Sequence, residues 1–223
     1  MKKPPVAFAS LSHKYIMALA GIFLMLFLVS HLLTNLLMLA GDGGKAFDRA
    51  VELLGHPAVK IVEYLLFAAF IIHIVLGVIL QLINYNARPV KYKKAPRTEI
   101  STFSRYMFHT GVIILVFLVI HLINFFFVRL GWAPLPETAA HSHDFRPMAV
   151  ALFQNPWYSG FYVVCMLFLG FHLKHAFQSA FQSLGLNHTK YTPAIKIIGT
   201  LYAIFISVGF ALIPVYFLFF YSS

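Results

Sequence analysis

Four histidines stand inside runs of residues that otherwise belong in hydrocarbon: His31 in FLVSHLLTN, His73 in FIIHIVLG, His121 in FLVIHLIN and His172 in FLGFHLKH. An ionisable side chain at membrane depth is costly and marks function by default. A neutral imidazole offers one N–H donor and one lone pair. In such a place it can bridge helices by hydrogen bonding, relay a proton, or give its lone pair to a metal. For a single histidine the hydrogen-bonded bridge is the plainest reading. Four of them, one in each of four apolar runs, favour ligation.

The surroundings narrow the metal. Zinc takes four protein ligands, or three and a water, and these histidines have no cysteine or carboxylate at their depth. A b-type haem iron needs only two axial imidazoles, because its macrocycle brings the other four ligands. Phe, Leu and Val suit a haem, and Gly77 and Ala176, one turn after His73 and His172, would let a flat macrocycle lie against the helix. There is no CxxCH motif, so no haem is attached covalently, and the single cysteine, Cys165, allows no intrachain disulfide.

The elements that must position these residues are long apolar helices. Of 223 residues, 60% are hydrophobic and 11% charged, against roughly 25% charged in a soluble domain. So much apolar surface cannot be hidden in a water-soluble core, which makes the chain an all-α integral membrane protein. A spanning helix needs about 20 apolar residues. Five stretches qualify, approximately 14–39, 61–85, 106–129, 157–183 and 195–220. They predict a five-transmembrane-helix bundle enclosing two b haems, with residues 1–223 forming one membrane-anchor domain. Gly41, Gly43 and Gly44 follow the first span. Pro57 precedes the second and Pro89 follows it. Asn155-Pro156 opens the fourth, Gly185 closes it, Thr192-Pro193 opens the fifth, and Pro214 should kink the fifth. The N-terminal apolar stretch is too long for a cleaved signal and reads as a retained span.

The net charge of +10 does not point to nucleic acid, because the basic residues cluster between spans as cytoplasmic loops do. One side holds Lys2, Lys3, Lys14, Arg88, Lys91, Lys93, Lys94, Arg97, Arg105, Lys190 and Lys196. The other holds Lys45, Arg49, Lys60, Arg129 and Arg146 with most of the acids. This bias predicts a cytoplasmic N-terminus and an external C-terminus.

Helical rise then converts position into depth. His31 and His121 each lie eight residues before the outer ends of their spans, about 12 Å down. His73 and His172 lie about twelve and fifteen residues past the outer ends of theirs, roughly 18 and 22 Å deep. The histidines sort into an outer pair, His31 with His121, and an inner pair, His73 with His172. His175 shares a helix face with His172 and competes with it, but it lies about 4.5 Å nearer the cytoplasmic end and matches His73 less well. Lys174 and His175 could instead meet a haem propionate. The other histidines, His13, His56, His109, His141, His143 and His188, fall at span ends or in loops. Among carboxylates, Glu63 near the outer end of the second span is the candidate for passing protons to the quinone that the resemblance given below implies. Ser12 and His13 are weaker candidates for an inner site.

Three segments carry a resemblance: MALAGIFLMLFLVSHLLTNL (Met17–Leu36), ARPVKY (Ala87–Tyr92) and GFHLKHAFQSAFQSLGLNHTKYTPAIK (Gly170–Lys196). They resemble the cytochrome b558 type of succinate dehydrogenase/fumarate reductase membrane anchor, over nearly the whole chain and least in residues 130–156. The resemblance implies a single five-helix anchor with two haems b, docked to a flavoprotein subunit and an iron–sulfur subunit and exchanging electrons with menaquinone. FAD and the iron–sulfur clusters would reside in those partners. It also implies ligands on the first four helices, paired first with third and second with fourth, which are His31, His121, His73 and His172 here. Ala176 stands where that family often has glycine, four residues after the fourth ligand. The chain itself has no domain that could bind succinate. Rival readings are the haem b subunit of a hydrogenase or formate dehydrogenase, and a proton-coupled transporter using the histidines as a relay. A transporter would show internal repeats, and the sequence has none.

Overall fold

The computed structural model describes residues 6–86 and 106–221, with side chains from residue 11. The basic residues at 2–3 and 88–105, Pro89 and the ARPVKY segment lie outside the described residues. Among those described, all regular structure is helical. Helix α1 (Val6–Leu36) is extended by a 3-10 turn, Leu37–Leu39. Next come α2 (Lys45–Leu54) and α3 (Pro57–Asn86). Helix α4 (Met107–His121) continues through a π-helical turn, Leu122–Phe126, and a last turn, Phe127–Arg129. The remaining helices are α5 (Phe145–Phe153), α6 (Pro156–Ser183) and α7 (Thr192–Phe219). Five of them, α1, α3, α4, α6 and α7, are long and apolar enough to cross a membrane. In hydrocarbon every backbone polar group must be satisfied within the segment, so a run of apolar residues this long can only be a helix.

The helix ends follow the sequence signals. The Asn155 side chain accepts from the backbone N–H groups of Trp157 and Tyr158, with Pro156 at the first helical position of α6. Gly185 takes a left-handed φ of +79° just past α6, and the Leu186 N–H reaches back to the Phe181 carbonyl, the bond that closes a helix on a glycine. Pro57 is the first residue of α3 rather than its forerunner. Helix α7 runs unbroken through a buried Pro214.

Two helices, α2 and α5, occupy segments read from the sequence as loops. Both are too short to span. In α2, Phe47 and Val51 fall one turn apart and pack into a cluster with Met38, Phe153, Ile213 and Phe217. The start of α2 is held by Asp42, which accepts from the N–H groups of Gly44 and Ala46. The Ala46 amide above all, with that of Gly44, holds the Asp42 carboxyl below the ordinary carboxylate range. These two helices close the end of the bundle where α1, α4 and α7 finish, here termed the upper end.

Packing in a membrane depends on close approach, since lipid is as apolar as leucine. Helix α6 lies along α7, and α1 packs on α3, α6 and α7. Gly209 of α7 faces Leu32 of α1, a fully buried side chain; a Cβ at Gly209 would stand 2.7 Å from Leu32 Cδ2. Beside it, Tyr202 donates its hydroxyl hydrogen to the Met25 carbonyl at 2.7 Å, tying α7 to α1. Trp132 and Trp157 stand exposed at the upper end, and Tyr85, Tyr106 and Tyr191 at the lower. Amphipathic aromatics gather in this way at the two faces of a bilayer, consistent with a multi-pass membrane protein.

Candidate functional site

Four helices each present one of the four deep histidines to the bundle interior, and the rings meet two by two. His31 of α1 and His121 of α4 have ring centroids 5.9 Å apart, with planes crossed at 81°. His73 of α3 and His172 of α6 have centroids 6.3 Å apart, crossed at 66°. The ring facing His73 is thus that of His172.

The two pairs lie at different levels. A Cβ on Gly21 of α1 would contact the His73 ring at 3.8 Å, and one on Gly111 of α4 would contact the His172 ring at 3.6 Å. Gly21 is ten residues before His31 and Gly111 is ten before His121. Ten residues of helix rise about 15 Å, so both helices give the same separation between the lower pair and the upper pair.

Each pair has its own surroundings. At the upper level Phe27 stacks on His31 (5.1 Å, 17°) and Phe117 on His121 (5.7 Å, 22°), with Phe125, Phe210 and Tyr162 closing around them. Tyr162 accepts at its hydroxyl from the Asn124 amide. The π turn that begins at Leu122 carries Asn124 and leads on to Arg129. A π turn adds one residue to the helix and is frequent at functional sites. Asn35, one turn after His31, donates to the His31 carbonyl at 2.7 Å and approaches its Nδ1 at 3.3 Å. At the lower level the Thr110 hydroxyl lies 3.3 Å from His172 Nδ1.

The spacing of the rings tests what they could hold. A metal–imidazole bond is about 2.0 Å, so two imidazoles on opposite sides of one iron set their ring centres about 6 Å apart. Both pairs have that separation. Among the described residues no group of three or more His, Cys, Asp or Glu could hold a bare metal ion. An ion gripped by only two protein ligands must bring the rest, as a haem iron does. The helix-bridging alternative fares worse, because the Nδ1 atoms of His73 and His121 are buried without a hydrogen-bond partner. An unpaired buried polar atom costs about 1–3 kcal/mol. The residues present fit two haems, one per pair.

The glycines beside the rings come from neighbouring helices. A Cβ on Gly77, the glycine singled out from the sequence, would meet Met17 Cε at 3.6 Å. Lys174 is exposed and His175 half-buried on the lower half of α6. His141 and His143 are exposed in the upper loop.

Glu63 has a partner the sequence did not suggest. It pairs with Arg129 from the last turn of α4, both side chains 28% exposed. Ten residues separate Glu63 from His73 along α3, about 15 Å, which brings this ion pair to the upper level. Between α1 and α3 an apolar groove of about 210 Å³ is lined by Phe23, Leu26, Phe27, Ser30, Val62 and Leu66. Phe27 joins the groove to His31, while Glu63 stands beside it without lining it. The signal that could have found Arg129 is its position near the upper end of its span, as Glu63 is near that of its own.

No family model, curated protein or solved structure matches the chain.

Proposed function

We propose that this chain is the di-haem cytochrome b membrane anchor of a succinate:menaquinone oxidoreductase, the family its first and fourth spans resemble. The observation that carries the reading is the pair of crossed imidazole couples, 5.9 and 6.3 Å between centres, at two levels of one helical bundle. His31 and His121 would hold the upper haem, and His73 and His172 the lower. A bound haem iron supplies one-electron redox chemistry whose potential is tuned by axial ligands and burial.

The chain's own residues do the rest. Phe27 and Phe117 stack on the upper imidazoles, holding their planes and excluding water. The apolar groove beside Phe27 admits a quinone ring and its tail directly from lipid. Glu63, held at that depth by Arg129, is the group that passes protons to it. The basic lower end faces the cytoplasm in this reading and docks the iron–sulfur and flavoprotein subunits, which carry FAD and the clusters. With haem held by both histidine pairs, one-electron transfer would link the lower level to the upper, where menaquinone would react.

The visible spectrum of the purified chain is the test. Reduced b-type bands at two haems per chain are expected, and flavin should copurify when the complex is isolated whole. Colourless, correctly folded protein would sink the proposal. Haem without a flavoprotein partner would favour the hydrogenase or formate dehydrogenase reading.

A further inference from the structure

We infer that Thr110 fixes the hydrogen of His172 on Nδ1 and so presents Nε2, with its lone pair free, to the iron. The inference rests on the di-haem reading above and deepens it.

Thr110 is one of two buried polar residues among those described. A hydroxyl has one hydrogen and two lone pairs. The Thr110 hydrogen is already committed, because Oγ1 donates to the Met107 carbonyl at 2.9 Å, three residues back in α4. A helical threonine often bonds its own backbone in this way. Toward His172 Nδ1, 3.3 Å away, the same oxygen can therefore only accept. Nδ1 must bring the hydrogen. A neutral imidazole carries only one, so Nε2 is left bare. Gly111, the next residue, lies against the same ring: a Cβ there would be in ordinary contact with Cε1 at 3.6 Å and Nδ1 at 4.0 Å. One turn of α4 thus both orients the ring and sets its tautomer. Metal-binding histidines commonly donate the N–H of the non-ligating nitrogen in this manner, which raises the basicity of the ligating one.

The other three histidines lack this arrangement. Nδ1 of His73 and of His121 is buried without a partner. His31 has the opposite one, since the Asn35 amide nitrogen is a donor, bonded to the His31 carbonyl at 2.7 Å, and can only donate to Nδ1. Of the four ligands, His172 alone is set for iron by the protein itself.

Thr110 is a positioning residue, and its effect should be read in the haem potential. In the full chain with both haems bound, T110V removes the hydroxyl acceptor while keeping the shape, and leaves the Met107 carbonyl that also faces the His172 ring. It should raise the midpoint potential of the lower haem and leave the upper one unmoved, because a ligand without its acceptor is a weaker donor to oxidised iron. T110S keeps the oxygen and should titrate as wild type. Loss of the lower haem in T110V with retention in T110S would support the same conclusion. An unshifted potential in T110V would overturn it, and so would equal shifts or equal haem loss in T110V and T110S, which would assign the residue to packing. A wild-type chain without haem would instead overturn the di-haem reading, so the two failures are distinguishable.

Discussion

If menaquinone is reduced at the upper level, collapse of the membrane potential should slow the reaction by an amount set by the helix geometry. The lower and upper histidine pairs are ten residues apart on both α1 and α4, about 15 Å. The hydrocarbon core is about 30 Å thick, so an electron moving between the levels crosses about half the field. A full crossing is worth about 2.3 kcal/mol per 100 mV; half is about 1.2, and the two electrons of one quinone gain about 2.3. At about 1.4 kcal/mol per tenfold change, that is a factor of roughly 50 in the driving equilibrium for each 100 mV. If the N-terminus is cytoplasmic, as the charge bias predicts, outward electron flow runs toward the positive side and is favoured. Protons taken up at that face on quinone reduction add to the dependence. The assay is succinate oxidation by a menaquinone analogue in sealed vesicles, energised and then treated with an uncoupler. The quinone reaction should slow while reduction of a soluble dye continues unchanged. An uncoupler that slowed neither would put the quinone on the cytoplasmic side and refute the path from lower to upper level.

Ligand pairing gives a second expectation: His31→Ala and His121→Ala should each remove the same haem, and His73→Ala and His172→Ala the other, so that haem content halves in all four and low-temperature spectra fall into two classes. His31→Ala and His73→Ala losing the same band would refute the pairing. Glu63→Gln should slow quinone reduction while both haems and dye reduction persist; normal quinone turnover would remove Glu63 from the proton path. Gly209→Ala should lower the melting temperature of the detergent-solubilised chain, because its Cβ would stand 2.7 Å from Leu32 Cδ2. Overpacking costs about 1–3 kcal/mol, more than the roughly 0.5–1 kcal/mol that alanine gains over glycine within a helix. Leu32→Ala costs about 2–5 kcal/mol by itself, so adding it should not restore the melt, but the double variant should lose less than the two single losses summed; a melt unaffected by Gly209→Ala would show that α1 and α7 do not meet this closely.

The five spans were legible because one large effect decides them. Transferring some 20 apolar residues into lipid outweighs every local preference, so composition alone finds the helices to within a few residues of their ends. The pairing of the histidines was legible for a related reason: along a helix, sequence distance is depth, and His31 matches His121 whatever the azimuth of either helix. What depends on azimuth was not legible. The glycines nearest the His73 and His172 rings are Gly21 and Gly111, on neighbouring helices, whereas a Cβ on Gly77 would meet Met17. Helices α2 and α5 are too short to stand out as spans, and their signal is only the spacing of a few apolar residues such as Phe47 and Val51.

Thr110 shows where the boundary lies. Its residue type is unremarkable in a membrane helix, and its sequence distance from His172 is 62 residues. Only the crossing of α4 and α6 brings the hydroxyl to the imidazole, and only the competing bond to Met107 decides which of the two donates. The sequence can therefore place a histidine at its depth, since depth needs one helix. The tautomer that makes a nitrogen a ligand needs two helices and a count of hydrogens.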